Sequence, residues 1–172
     1  MTTPTRDIDA GAPRIASKRD LVERLESGSK PKSAWRVGTE HEKFGFRIRD
    51  LSPLPYEGET SIRALLEGIG ARYGWAHIVE GGRIIGLKKD GASVSLEPGG
   101  QFELSGAPLE TIHETCAEIS THLREANAVA GEMGAGFLGL GASPLWSMEQ
   151  TPVMPKGRYG IMSRYMQRVG RL

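Results

Sequence analysis

Cysteine occurs once in the 172 residues, at Cys116, so no disulfide can close within the chain and a disulfide-stapled scaffold is excluded. Neither sign of charge dominates: 21 Asp+Glu stand against 22 Lys+Arg, a net charge of +1. That removes the broad positive field on which non-specific nucleic-acid binding relies, and nucleic acid is not an expected partner. No window approaches the ~18 consecutive apolar residues of a membrane span. The start MTTPTRDIDAGAPR lacks the apolar segment of a signal peptide, and with Asp7 and Asp9 it lacks the acid-poor character of a transit peptide. The expectation is a cytoplasmic chain with no membrane partner.

The length fits one domain or slightly more. Residues 1–16 carry no apolar period and read as a disordered leader, so structure is expected over 17–172. Three helices follow from a period near 3.6. Ser17 three residues before Asp20 is a cap signal for a short helix with Leu21, Val22 and Leu25 on one face, ending before Gly28. Thr60 or Ser61 can cap a second, in which Ile62, Leu65, Leu66 and Ile69 form the stripe and Gly70 the stop. The third is the longest, with Pro108 in its first turn and Leu109, Ile112, Cys116, Ile119, Leu123, Ala126, Ala130 and Met133 along one stripe. At 1.5 Å per residue it would run ~37 Å, enough to cross a sheet.

Elsewhere the period is two. Arg83–Lys89 and Ala92–Glu97 flank Asp90-Gly91, the preferred two-residue hairpin turn. Pairing Lys89 with Ala92 sets Leu87 opposite Val94 and Ile85 opposite Leu96, which leaves the other face to Gly86, Ser95 and Glu97. Gly136–Gly141 reads as a further strand and Arg158–Val169 as a weak helix.

Two strand segments concentrate carboxylates. In WRVGTEHEKFGFRI, alternation places Glu40 and Glu42 on one face, continued by Phe44 and Phe46. Like charges beside aromatic rings raise each other's pKa and lose solvation unless a cation neutralises them. The competing reading is a solvated edge strand with His41 and Lys43 offsetting the acids, and this segment alone does not decide between them. In SLEPGGQFELSG, Ser95, Glu97, Gln101, Glu103 and Ser105 share parity, although the Pro-Gly-Gly bend can change it. Two strands each offering two carboxylates, with no paired histidines or cysteines, favour Mg²⁺ or Mn²⁺ over zinc. Carboxylate-held Mg²⁺ with phosphates completing its octahedron is the usual arrangement of ATP-using enzymes. Lys88, Lys89 and Arg83 could meet phosphate, or could simply be solvated. Lys156 and Arg158 in MPKGRY could form a cationic fork for phosphate or carboxylate, or a basic turn opening the last helix.

Other signals fail. Gly134, Gly136 and Gly139 match GxGxxG but follow a helix and enter a strand, the reverse of the dinucleotide-binding context. His41-Glu42 lacks the second histidine of a zinc protease. Cys116 lies on the apolar stripe, which favours a core thiol over a nucleophile paired with His113, and His77 and His122 have no convincing partners.

WRVGTEHEKFGF, SLEPGGQFELSGAPLETIHETCAE, GFLGLG and TPVMPKGRYGIM closely resemble the plant and alphaproteobacterial type of glutamate–cysteine ligase, from about Trp35 to the C-terminus. The resemblance implies an α+β fold, an antiparallel sheet curved into a funnel and here incomplete, with packed helices. It implies Mg²⁺- and ATP-dependent ligation of the γ-carboxylate of L-glutamate to L-cysteine through γ-glutamyl phosphate, the first step of glutathione biosynthesis. Carried onto this sequence, Glu40, Glu42, Glu97 and Glu103 are metal-ligand candidates, with Glu40 and Glu42 also expected to be catalytic. Gln101, Lys156 and Arg158 are candidates for binding nucleotide or amino acid. Cys116 matches a family cysteine that can join a distant C-terminal cysteine, which this chain lacks. Family enzymes continue well beyond MQRVG, so the chain is expected to act with the rest of a ligase chain and to be inactive alone. The alternatives are an inactive fragment or metal-binding module, and a related carboxylate–amine ligase with another amino-acid substrate.

Overall fold

The computed structural model describes residues 14–170. Most of the expected leader, residues 1–13, lies outside the described residues. The chain divides into two compact units, 1–35 and 36–172.

The first unit holds helix α1, Lys18–Glu26, and a 3₁₀ turn, Lys32–Ala34. The expected cap forms as a full capping box: the Ser17 hydroxyl accepts from the Asp20 amide, and the Asp20 carboxylate accepts from the Ser17 amide at 2.9 Å. Trp35 Nε1 donates to the Lys30 carbonyl at 3.0 Å.

The second unit is an open, six-stranded antiparallel sheet with helices, the expected α+β class. Its strands are β1 (Glu40–Arg47), β2 (Ala76–Glu80), β3 (Arg83–Lys89), β4 (Ala92–Leu96), β5 (Phe102–Ser105) and β6 (Ala135–Leu138). They lie in the order β2-β3-β4-β5-β1-β6, so β1, the strand of the first acidic segment, sits between the edge strand β6 and β5, the strand of the second. Helices α2 (Ile62–Tyr73) and α3 (Ile112–Glu132) pack together and on the sheet, and α4 (Gly157–Val169) follows. Leu65, Leu66 and Ile69 of α2, Leu87, Val94, Leu96, Phe102 and Leu104 of the sheet, and Ala126, Val129 and Ala130 of α3 build the core.

The second helix has the predicted buried stripe: Ile62, Leu65, Leu66 and Ile69 are all inaccessible. Ser61 is the cap, accepting from the Ala64 amide and donating to the Gly58 carbonyl at 2.7 Å. Thr60 instead donates to the Met133 carbonyl. The stop is not Gly70 but Gly74, which takes the left-handed conformation at φ 73° that a C-cap requires. Gly70 stays helical, with its Cα against His77 and Trp75. Because Ser61 is fully buried, Ser61→Ala leaves both partners unsatisfied. We expect a loss of about 1–2 kcal/mol, read as a lowered urea midpoint with unchanged slope.

The third helix departs from expectation at its start and in the face it buries. Leu109 pairs with Val37 in an isolated bridge, and the helix begins at Ile112 behind a Thr111–Glu114 capping box. Its 21 residues span about 32 Å. Ala126 and Ala130 of the expected stripe are buried and Ile119 and Met133 pack partly on the core, but Ile112 and Cys116 are exposed. Cys116 is therefore not a core thiol. Thr115, His122 and Val129 take the inner positions. Apolarity alone assigned the face, whereas a polar group on the sheet, Lys43, requires a polar partner from α3.

The β3–β4 hairpin forms as expected, with Asp90 (φ 48°) and Gly91 (φ 86°) in the turn and Lys89 opposite Ala92, Lys88 opposite Ser93 and Leu87 opposite Val94. The ladder stops there, so Ile85 does not pair with Leu96. Where β3 pairs with β2, the register moves from Ile78–Gly86 to Val79–Ile84, which leaves Ile85 as the extra residue of a bulge in β3, and Ile84 rather than Ile85 packs on the core. An extra residue in one strand reverses the facing of those beyond it.

Candidate active site

The register of β1, β5 and β4 assembles the acidic segments. Glu42 lies directly opposite Glu103, which lies opposite Ser95; two rungs along, Glu40 is opposite Ser105, which is opposite Ser93. Directly paired residues share a face at Cβ separations of ~5 Å, so Glu40, Glu42 and Glu103 occupy one side of the sheet. The inner side of the same strands carries Lys43, Phe102 and Leu104, all buried.

The Pro-Gly-Gly segment does not break this parity. Leu96 pairs with Phe102, and Glu97 donates its amide to the Gln101 carbonyl at 3.0 Å, closing a three-residue hairpin loop. Gly100, at φ 82°, supplies the left-handed residue that such a loop needs. Glu97 and Gln101 consequently stay on the face of Ser95 and Glu103.

Glu103 is the most enclosed of the four carboxylates, at 8% exposure. It accepts from the Ser95 hydroxyl at 2.9 Å and from Ser105 at 3.4 Å. Burial, and then the neighbouring Glu103 carboxylate, push Glu97 above the ordinary carboxylate range, against the opposing pull of Arg158 and Lys156. Glu40 and Glu42 are exposed at the other end of the group.

The expected cations reach the same place. The Arg158 guanidinium lies 3.5 Å from Glu97. Lys156 Nζ donates to the Leu96 carbonyl at 2.7 Å, and burial, followed by Arg158, lowers its pKa. The Gln101 side-chain oxygen is buried there without a hydrogen-bond partner. By contrast, Lys88 is exposed and Lys89 donates to the Tyr73 carbonyl beneath Trp75.

Two contributors lack an obvious sequence signal. Tyr159 is buried and its hydroxyl donates to the Leu96 carbonyl while accepting from Arg158, fixing the guanidinium beside Glu97. Glu80 of β2 accepts from the Gly157 amide at 2.9 Å, capping α4 where its dipole favours negative charge. Tyr159 lies inside MPKGRY and could have been singled out with it; Glu80 sits 77 residues from its partner.

On the reverse side of the sheet, Lys43 is 1% exposed, with no carboxylate paired to it among the described residues. Its Nζ meets His122 Nε2 at 2.7 Å, donates to the Phe102 carbonyl at 3.3 Å and lies over the Phe102 and Phe137 rings. Lys43 thus does not offset Glu40 and Glu42, and His122 does have a partner. Burial lowers Lys43 to about 8; burial, then Lys43 and His41, lower His122 to about 3. Neutral His122 accepting from the Lys43 ammonium satisfies both.

In donor chemistry the acidic face fits a hard divalent cation: carboxylates, hydroxyls and an unpartnered amide oxygen, with no thiolate or imidazole. Among the described residues, however, no three His, Cys, Asp or Glu side chains converge in the manner of a finished metal centre. No helix among them is long and apolar enough to cross a membrane.

Comparison with known proteins gives one consistent result. The family described as glutamate-cysteine ligase family 2 matches residues 36–172, from the first residue of the second unit. The chain is 54% identical over 169 residues to a chloroplastic glutamate–cysteine ligase of Medicago truncatula and 56% identical over 169 residues to that of Nicotiana tabacum, covering 98% of this chain and 32% of each relative. The Arabidopsis thaliana enzyme is 56% identical over 156 residues, 91% of this chain and 29% of its own length. The chain therefore spans about a third of the length of the curated relatives it matches.

Proposed function

Because this chain belongs to glutamate-cysteine ligase family 2, we propose that it supplies the N-terminal part of an enzyme that joins the γ-carboxylate of L-glutamate to L-cysteine at the expense of ATP. The observation that carries the reading is the ladder position of Glu42 opposite Glu103, with Glu97 and Arg158 at the adjoining loop. Glu103, Glu97 and Glu42 would hold Mg²⁺, with Glu40 at the exposed end of the same row. Bound Mg²⁺ neutralises phosphate charge during phosphoryl transfer.

The protein groups divide by chemistry. Ser95 and Ser105 orient the Glu103 carboxylate, and each hydrogen bond disfavours its rotation away from the face. Arg158, fixed by Tyr159, offers a planar donor set to an anionic oxygen of ATP or glutamate. Lys156 adds a second positive charge, and Gln101 presents an acceptor with no competing partner. Ligation through γ-glutamyl phosphate needs no enzyme nucleophile: ATP phosphorylates the carboxylate, and the cysteine amine displaces phosphate. The sidedness of the sheet suits that route, since it gathers charge rather than a nucleophile and its base.

The single cysteine suits a reducing compartment such as the cytoplasm, whereas the relatives are named chloroplastic. The decisive experiment places residues 36–172 in the corresponding segment of the M. truncatula ligase. We expect ADP release from this chimera to depend on glutamate, cysteine and Mg²⁺, and none from the isolated 172-residue chain. A folded chimera without that activity refutes the ligase reading; turnover by the isolated chain at ordinary enzymatic rates refutes its incompleteness.

A further inference from the structure

Among the described residues, side-chain moorings hold helix α4 at its first turn: the Gly157 amide on Glu80, the Tyr159 hydroxyl on the Leu96 carbonyl and the preceding Lys156 on the same carbonyl. Beyond that turn, Ile161, Met162, Tyr165, Met166 and Val169 recur at i, i+1, i+4, i+5 and i+8, a single helical face. Ile161 is 63% exposed, Tyr165 61% and Val169 57%, and Tyr159 is the only buried residue of the 13. A helix of this length is marginal in water without a covered apolar face.

The sheet shows a similar vacancy at β6. This four-residue edge strand is hydrogen-bonded to β1 on one side, and Leu138 and the following Leu140 are exposed. Among the described residues nothing pairs with its other edge, which lacks the lysines or prolines that usually blunt such edges.

We infer that the apolar face of α4 and the free edge of β6 are docking surfaces for the ligase polypeptide that lies outside the third of the relatives matched here. The inference rests on the proposed ligase reading and adds to it the surfaces through which the active site is completed. The occupant follows from length: relatives 54% and 56% identical in this region carry about twice as much polypeptide again, since the match covers only 32% of each. A segment joined in the same chain has an effective concentration that a second copy does not reach at ordinary protein levels. A strand adds to the β6 edge, and apolar side chains cover Ile161, Tyr165 and Val169. Because the same α4 carries Arg158 in its first turn, covering its outer face also steadies the guanidinium beside Glu97.

Hydrogen exchange on the isolated chain and on the M. truncatula chimera tests this without requiring catalysis. Amides of residues 135–140 and 161–169 should exchange at least tenfold more slowly in the chimera. Ile161→Glu should leave the melting temperature of the isolated chain within about 1 °C, as expected of an exposed position, and lower that of the chimera. Equal exchange in both proteins overturns the inference. So does a dimer of the isolated chain that Ile161→Glu dissociates while the chimera tolerates the change, an outcome that makes a second copy the occupant. An inactive chimera that still shows the added protection refutes the ligase activity and leaves the docking surface standing.

Discussion

Glu103→Gln in the full-length chimera lowers glutamate- and cysteine-dependent ADP release by about 100-fold or more, the scale on which a preorganised charge-stabilising group acts, and raises the Mg²⁺ concentration needed for half-maximal rate. The same substitution in the isolated chain leaves the melting temperature unchanged or higher. These opposite signs follow from the site. Gln keeps the shape of Glu103 and its contact with Ser95, but it removes a like charge that, after burial itself, is the main cause holding Glu97 above its ordinary range. A carboxylate row assembled against its own repulsion costs stability in the absence of a cation, and a neutral member relieves that cost. The Glu97 titration in the isolated chain, followed by NMR, should move down in the variant. Near-full activity of Glu103→Gln at the parent Mg²⁺ requirement would exclude Glu103 from the cation site.

Acid should destabilise the second unit well before its carboxylates are all protonated. The unfolded chain takes up a proton at His122 near pH 6.5, whereas the folded chain resists doing so until about 3. Between those values the unfolded state binds more protons, so stability is fully present above 6.5 and declines as pH falls toward 3. A depression of that size corresponds to roughly 5 kcal/mol over the window. His122→Gln retains an acceptor for Lys43 without a titrating group, so the slope of urea midpoint against pH between 6.5 and 3.5 should flatten. Lys43 acts at the other end of the scale. Its pKa is depressed to about 8, so the unfolded state binds the extra proton between about 8 and 10.5, and stability rises with pH there. An unaltered acid slope in His122→Gln would place the acid sensitivity elsewhere.

The extent to which the sequence anticipated this arrangement varies with the range of the interactions involved. The Asp90-Gly91 turn, the Ser17 and Ser61 caps and the stripe of α2 depend on residues within a few positions of one another, and period and turn chemistry suffice to locate them. The carboxylates of the acidic row were recognisable as separate pairs because parity within a strand is a local property. Their conjunction is not local: Glu42 and Glu103 meet only because β5 inserts beside β1, 61 positions away in the chain. Ile85 is itself the extra residue of a bulge in β3, skipped where the register with β2 moves from Ile78–Gly86 to Val79–Ile84, and the apolar pair Ile84-Ile85 does not by itself say which of the two is skipped.

The α3 face is the most instructive departure. Apolar spacing pointed to Ile112 and Cys116, but the helix turns Thr115 and His122 inward. A buried ammonium without an acceptor costs far more than an exposed isoleucine, so Lys43 on the sheet decides which face of α3 is inside. The family, and with it the expected ligase chemistry, rests on the motifs themselves and required no coordinates.

The sequence by itself thus determined the single-cysteine, near-neutral character of the chain, its α+β class, its local elements and the residue types available for a cation and for anionic substrates. Only the tertiary structure decided that those residues share one face, that Tyr159 and Glu80 hold the start of α4 against it, and that Cys116 points outward. Backbone periodicity is set by neighbours in the chain, whereas electrostatic repulsion, buried-charge compensation and strand order act between segments far apart in sequence, and folding brings them together.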